Sequence, residues 1–220
     1  EGAVVSVNGR AYQISYVGGT GSNDVTLTVY DPATVISFTP TIGKSGTSVV
    51  ITGTNFVNVS QVSFNGTVQP TYTENSPTQI TTTIPSGATT GTISVTTIAG
   101  TATSSSSITI DNTAPNVVSI TSDKARLGAT NTATITITFS EVPKGFDSFD
   151  VGATFGTISN LAVTSDSKIY TATFTPSGVI TSDARVTVYQ GYSDAAGNAG
   201  TALTMATPIA IVAAPVGTIV

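Results

Sequence analysis

Cysteine and histidine are both missing from the 220 residues, and charge is scarce: 7 basic and 12 acidic side chains make up 9% of the chain. Without cysteine there are no disulfides, and oxidising and reducing compartments are not distinguished on that ground. Without histidine the usual general base near neutral pH, the Ser-His-Asp triad and the commonest zinc ligand all drop out together. No apolar run approaches about 18 residues, so no helix of membrane-spanning length is expected. No basic segment followed by an apolar stretch opens the chain. The few cations are scattered singly in a chain of net charge −5, which leaves no basic patch for phosphates and excludes nucleic acid as a partner. Paired carboxylates of the glycosidase kind are the one catalytic device the 12 acids leave open. Most of those acids sit in Gly-, Asn- or Ser-rich turns, where they read as solvated turn formers. No catalytic residue is expected.

What is present is apolar and turn-rich. Hydrophobic residues make up 39% of the chain, with 21 glycines and 10 prolines punctuating a background full of threonine and serine. Disordered chains combine low hydrophobicity with high net charge, so this one is expected to fold, and as β-structure throughout. Val4-Val5-Ser6-Val7, Asn8-Gly9 and Ala11–Tyr16 spell a hairpin, because Asn-Gly tolerates the positive φ of a type I′ turn. Gly18–Asn23 makes a second turn and Asp24–Tyr30 a third strand. A single Gly-Gly-x-Gly-x-Asn unit lacks both the acid and the repetition of a calcium-binding β-roll, so it reads as a turn. A three-stranded meander of this size is marginal alone and must pack on the next module or on something upstream. Residues 1–30 resemble the segment that closes β-solenoid regions of large bacterial surface proteins. Glu1 is not an initiator methionine, so a monomeric fragment of a longer chain is expected.

Residues 31–110 carry the motifs Ile36-Ser37-Phe38-Thr39-Pro40, Val49-Val50-Ile51-Thr52-Gly53-Thr54-Asn55-Phe56, Val62-Ser63-Phe64-Asn65-Gly66, Ile84-Pro85 and Gly91-Thr92-Ile93-Ser94-Val95. Val49 and Ile51 point to one face of a strand, Val50 and Thr52 to the other. Gly53 and Asn55 are expected to permit the sharp exit that folds Phe56 into the core. In this order the motifs resemble the IPT/TIG family, which implies an immunoglobulin-like sandwich. The DNA-binding branch of that family needs basic loops, and this segment offers only Lys44.

Asp111-Asn112-Thr113-Ala114-Pro115 then reads as a short stiff connector, because proline fixes its own φ and disfavours helix at Ala114. Residues 111–213 alternate again, with Ile135, Ile137 and Phe139 on one face. Phe139-Ser140-Glu141-Val142-Pro143, Tyr170–Phe174 and Asp194-Ala195-Ala196-Gly197-Asn198 resemble the bacterial Ig-like repeats of large adhesins, a second sandwich. Residues 214–220 read as a tail or the start of a linker.

In such a sandwich the first strand starts at the end where the B–C and F–G loops turn. Asp111, Glu141 and Asp194 should therefore converge, with Asn198 or Asn112 able to add side-chain carbonyl oxygens. Calcium takes 6–8 oxygens from such groups, and the adhesin repeats resembled here hold calcium with the corresponding acids. The expectation is a calcium site of Asp111, Glu141, Asp194 and Asn198 that stiffens the joint. The bland alternative is a turn with solvated acids. A Lys168–Asn160 isopeptide and a threonine-rich ice-binding face are weaker constellations, since Lys168 falls in a turn and sandwich strands twist. The tyrosines could stack on sugars but at strand positions read first as core or cross-strand pairs.

Serial β-modules with stiff joints suit a stalk or display segment of a secreted or cell-surface bacterial adhesin, acting outside the cell on an unidentified surface or glycan ligand. An accessory glycan-binding module pair of a secreted polysaccharide-active enzyme is the alternative reading, and a surface-layer protein the third.

Overall fold

The computed structural model describes residues 2–8, 10–16, 25–178 and 182–212. The chain divides into two compact units, Glu1–Asn112 and Thr113–Val220. The sequence puts the boundary at 110/111. At the end of the first unit the Asp111 N–H donates to Gly43 O at 3.1 Å and Asn112 Oδ1 accepts from the Ser45 N–H at 2.8 Å. The architecture is all-β: two immunoglobulin-like sandwiches, the first preceded by a three-stranded meander. Among the described residues the only helical segment is a 3-10 turn, Ser148–Asp150, capped by the Asp147 carboxylate.

The meander comprises β1 (Val4–Val7), β2 (Arg10–Tyr16) and β3 (Val25–Tyr30), antiparallel in that order. Asn8 at φ 51° supplies the left-handed residue that the β1–β2 turn needs. The glycine stretch 18–23 lies outside the described residues.

Nine strands follow: β4 (Thr34–Thr39), β5 (Ile42–Gly43), β6 (Ser48–Thr54), β7 (Gln61–Phe64), β8 (Thr67–Gln69), β9 (Tyr72–Ser76), β10 (Gln79–Thr83), β11 (Gly91–Thr97) and β12 (Gly100–Ile110). They form one sheet ordered β4-β6-β10-β9 and another ordered β5-β12-β11-β7-β8, with β5 and β12 parallel. Alternation along β6 sends Val49 and Ile51 inward, where they meet Ile80 from their own sheet and Phe64, Ile93 and Ile108 from the other. Each such side chain contributes roughly 1.5–3 kcal/mol through burial. Gly53 plays a different part from the one its turn-like context suggested. Its φ is not left-handed; the positive φ falls on Asn55, at 55°. A Cβ at residue 53 would instead overlap the Thr34 carbonyl and the Phe56 ring. Glycine is there so that Phe56 can lie against the strand.

The second unit contains β13 (Val117–Ser122), β14 (Arg126–Gly128), β15 (Ala133–Phe139), β16 (Val151–Ala153), β17 (Gly156–Val163), β18 (Ile169–Pro176), β19 (Ser182–Ala184), β20 (Val186–Val188), β21 (Leu203–Thr204) and β22 (Ile209–Val212). One layer is ordered β13-β15-β18-β17. The other comes in two pieces, β14-β22-β19 and β16-β20-β21. The break falls at Arg185, between β19 and β20, whose guanidinium donates to the Met205 and Ala206 carbonyls at 2.7 and 2.6 Å. Ile135, Ile137 and Phe139 line the core opposite Val186 and Val188, as their alternation requires. Residues 214–220 lie outside the described residues. No helix among the described residues is long and apolar enough to cross a membrane.

Candidate metal centre

The acidic loops of the second unit are held by its core. Phe139, Phe146, Tyr170 and Tyr192 form an edge-to-face aromatic cluster, with centroids 4.8 Å apart for Phe139–Phe146 and 5.2 Å for Phe139–Tyr192. Such pairs add about 0.5–1.5 kcal/mol each beyond burial. Glu141 lies two residues beyond Phe139 and Asp194 two beyond Tyr192, so the cluster anchors the root of each loop. The Tyr192 hydroxyl donates to Thr201 O at 2.7 Å, tying the two ends of the 192–201 loop together. Ser193 exchanges two backbone hydrogen bonds with Lys144, at 2.5 and 3.0 Å. On the Glu141 side, the Ser140 N–H donates to Asn116 O at 2.8 Å, and Ser140 Oγ accepts from the Asn116 N–H at 3.0 Å.

Within the loop Asp194 is buried, at 3% exposure. One carboxylate oxygen accepts from the Asn198 N–H at 2.8 Å and the other from Asn198 Nδ2 at 2.7 Å. Gly197, at φ 88°, makes the reversal that brings Asn198 back. Burial alone raises the Asp194 pKa and is the largest single effect. Donation from the Asn198 side chain and from the backbone N–H groups of Asn198, Gly197 and Ala196 together outweighs it, so the carboxyl sits below its ordinary value. The hydrogen bonds thus favour the ionised form against the effect of burial.

The structure brings together the three acids that the sequence singled out: carboxylate oxygens of Asp111, Glu141 and Asp194 all lie within 4.8 Å of one another. Asp111 and Glu141 are partly buried. Two unit charges at that spacing repel by on the order of 3 kcal/mol at an effective dielectric of about 20, less where water reaches them. A cation would relieve the repulsion. Oxygen donors with no nitrogen or sulfur among them suit a hard ion, calcium or magnesium. Asn198 stands beside the cluster with its amide nitrogen on Asp194 rather than pointing away. Asn112 points its side-chain oxygen to Ser45.

The other constellations separate. Lys168 and Asn160 are both exposed, so the apolar pocket that an isopeptide needs is absent around them. The tyrosines divide: Tyr72 and Tyr192 hydrogen-bond inside their modules, whereas Tyr16 is 76% exposed and Tyr189 48%. Sequence reasoning missed the aromatic cluster and the Lys144–Ser193 bridge. Phe139, Phe146, Tyr170 and Tyr192 lie on four separate segments, and nothing in their spacing joins them. The bridge is pure backbone.

The profile of a family described as a bacterial Ig-like domain matches residues 111–211, a span that covers most of the second unit. Comparison with curated proteins gives no match. Among solved structures, this chain is similar to SGBP-B from a complex xyloglucan utilization locus in Bacteroides uniformis, at 16% identity over 81% of this chain and 49% of that one, with a TM-score of 0.32. The Escherichia coli adhesin FdeC is similar at 20% identity, over 79% and 62% of the two chains, with a TM-score of 0.34. SGBP-B of Bacteroides ovatus, solved with a mixed-linkage heptasaccharide, follows at 18%, over 93% and 52%, with a TM-score of 0.30. The chain thus spans about half the length of the two SGBP-B structures.

Proposed function

We propose that this chain is a non-enzymatic spacer and display segment of a bacterial surface adhesin, working outside the cell. What carries the reading is the pairing of two immunoglobulin-like sandwiches in series with a bacterial Ig-like match that begins at the connector itself. The first sandwich keeps its resemblance to IPT/TIG modules as part of the same reading. Asp111, Glu141 and Asp194 take one calcium ion, with Asn198 orienting Asp194. When bound, calcium supplies charge neutralisation and a crosslink between segments far apart in sequence. The protein's part is to hold three carboxylates at short range. In this reading the segment spaces a binding region that lies elsewhere in the adhesin, so it shows no saturable affinity for glycans on an array.

A second reading, a glycan-binding accessory module, is favoured by one observation. Phe149 is 91% exposed and Tyr189 48%; the Tyr189 N–H donates to Asp150 O at 2.7 Å, and the Tyr189 ring lies against Gly152 of β16. Exposed rings of this kind stack on sugar faces. Array binding that Tyr189→Ala abolishes would replace the spacer reading with this one.

A further inference from the structure

We propose that the meander β1–β3 is a self-association surface through which two copies of this chain join face to face. The register sorts the side chains of this small sheet sharply. Val5, Tyr12 and Val29 stand abreast across the three strands, Ile14 stands beside Leu27, and Tyr16 beside Val25. One face is thus apolar apart from Arg10, while the other mixes Ser6, Gln13, Ser15, Thr26 and Thr28 with Val4, Ala11 and Tyr30. The meander is expected to pack on the next module or on something upstream; within this chain the face stays largely open, with Val25 and Leu27 each 57% exposed, Val5 46% and Val29 47%.

Three arguments select a second copy as the occupant. The first is area. Side chains exposed to this degree leave roughly 600 Å² of largely apolar surface per copy, and a mutual interface of about 1,200 Å² reaches the lower limit for a stable pair. A patch of that size is at the top of the range found on soluble monomers, where such patches often mark an interaction site. The second is charge. Among the described residues the charged side chains at the face are Arg10 and Asp31, paired with each other at 2.8 Å. A charged partner finds no counter-charge there, whereas a second copy brings an equally neutral face. The third is shape. Sheets stack face to face about 10 Å apart with interdigitating side chains, and a patch that meets itself about a two-fold axis closes after two copies. A three-stranded sheet also needs its apolar face covered to be stable, so pairing and folding of the meander reinforce each other.

Sedimentation equilibrium of the whole chain from about 5 µM to about 500 µM tests this. The expected result is a mass that climbs from 22.1 kDa toward twice that value. Leu27→Asp, which puts an unpaired carboxylate into the interface, should weaken association by more than about 100-fold. Thr28→Asp, on the opposite face of the same strand, should leave it within a few-fold. Both variants are checked for intact β-structure by circular dichroism. A constant monomer mass across the range overturns the proposal, as does a dimer that Leu27→Asp leaves intact or that both variants weaken equally. Open-ended growth beyond two copies overturns it as well.

Discussion

Replacing Asp194 by alanine tests whether its carboxylate organises the 192–201 loop independently of any metal. The wild-type carboxylate accepts from the Asn198 N–H and side-chain amide at 2.8 and 2.7 Å in a buried setting. Alanine removes that acceptor, and hydrogen bonds to a charged group are worth about 1.5–3 kcal/mol each. Relief of repulsion from Asp111 and Glu141 offsets part of the loss. The net cost to the second unit in chelator is about 2–4 kcal/mol, and at about 4–8 °C per kcal/mol for a unit of this size its melting temperature should fall by roughly 8–32 °C. Calorimetry of the full chain reads this out, with amide exchange reporting faster opening at 194–201. Asp194→Asn keeps an acceptor and should lose about half as much. A shift under about 2 °C for the alanine variant, or an equal shift in both units, would refute the hydrogen-bond argument.

The pH dependence has a defined sign. The folded pKa of Asp194 lies below its unfolded value, so in chelator its contribution is fully present above the ordinary carboxylate range and is lost as pH falls through the folded pKa. Stability of the second unit should therefore decline on acidification below about pH 4, and Asp194→Ala should flatten that decline. Gly53→Ala sets a Cβ against the Thr34 carbonyl and the Phe56 ring, and should lower the melting transition of the first unit alone by about 1–3 kcal/mol. That variant also assigns the two transitions in the calorimetric trace. Tyr192→Phe removes the bond to Thr201 O but keeps the ring contacts. Its cost should be about 1 kcal/mol, with exchange rising near Thr201 and not in the core.

The regular parts of this fold are written in local residue chemistry. Alternation put Val49, Ile51, Ile135, Ile137 and Phe139 on inward faces, where all are buried, and Asn65-Gly66 makes its tight turn at φ 45° and 84°. The convergence of Asp111, Glu141 and Asp194 was legible too, because sandwich topology dictates which loops share an end. What stayed hidden depends on long-range packing. Gly53 is required by a ring three residues away, the aromatic cluster joins four segments, and the split at Arg185 follows from where its guanidinium finds carbonyls. Nor could alternation alone reveal that the apolar face of the meander is left uncovered by the module that follows it. A pattern states which side chains share a face, not whether anything lies against it.

Calorimetric titration of calcium into the chelated chain is the most direct test of the proposed site. One ion per chain is expected, with a Kd of about 10⁻⁴ M or weaker, as in extracellular modules. At about 10 mM calcium, saturation should stabilise the second unit by on the order of 2.7 kcal/mol. Glu141→Gln should weaken binding at least about tenfold, since a carboxylate ligand is lost, while Asp166→Asn, an exposed acid on another loop, should leave it unchanged. A titration with no binding heat at millimolar calcium, and no calcium-dependent shift in the melting of the second unit, would contradict the account. The carboxylates would then be held by packing and hydrogen bonds alone.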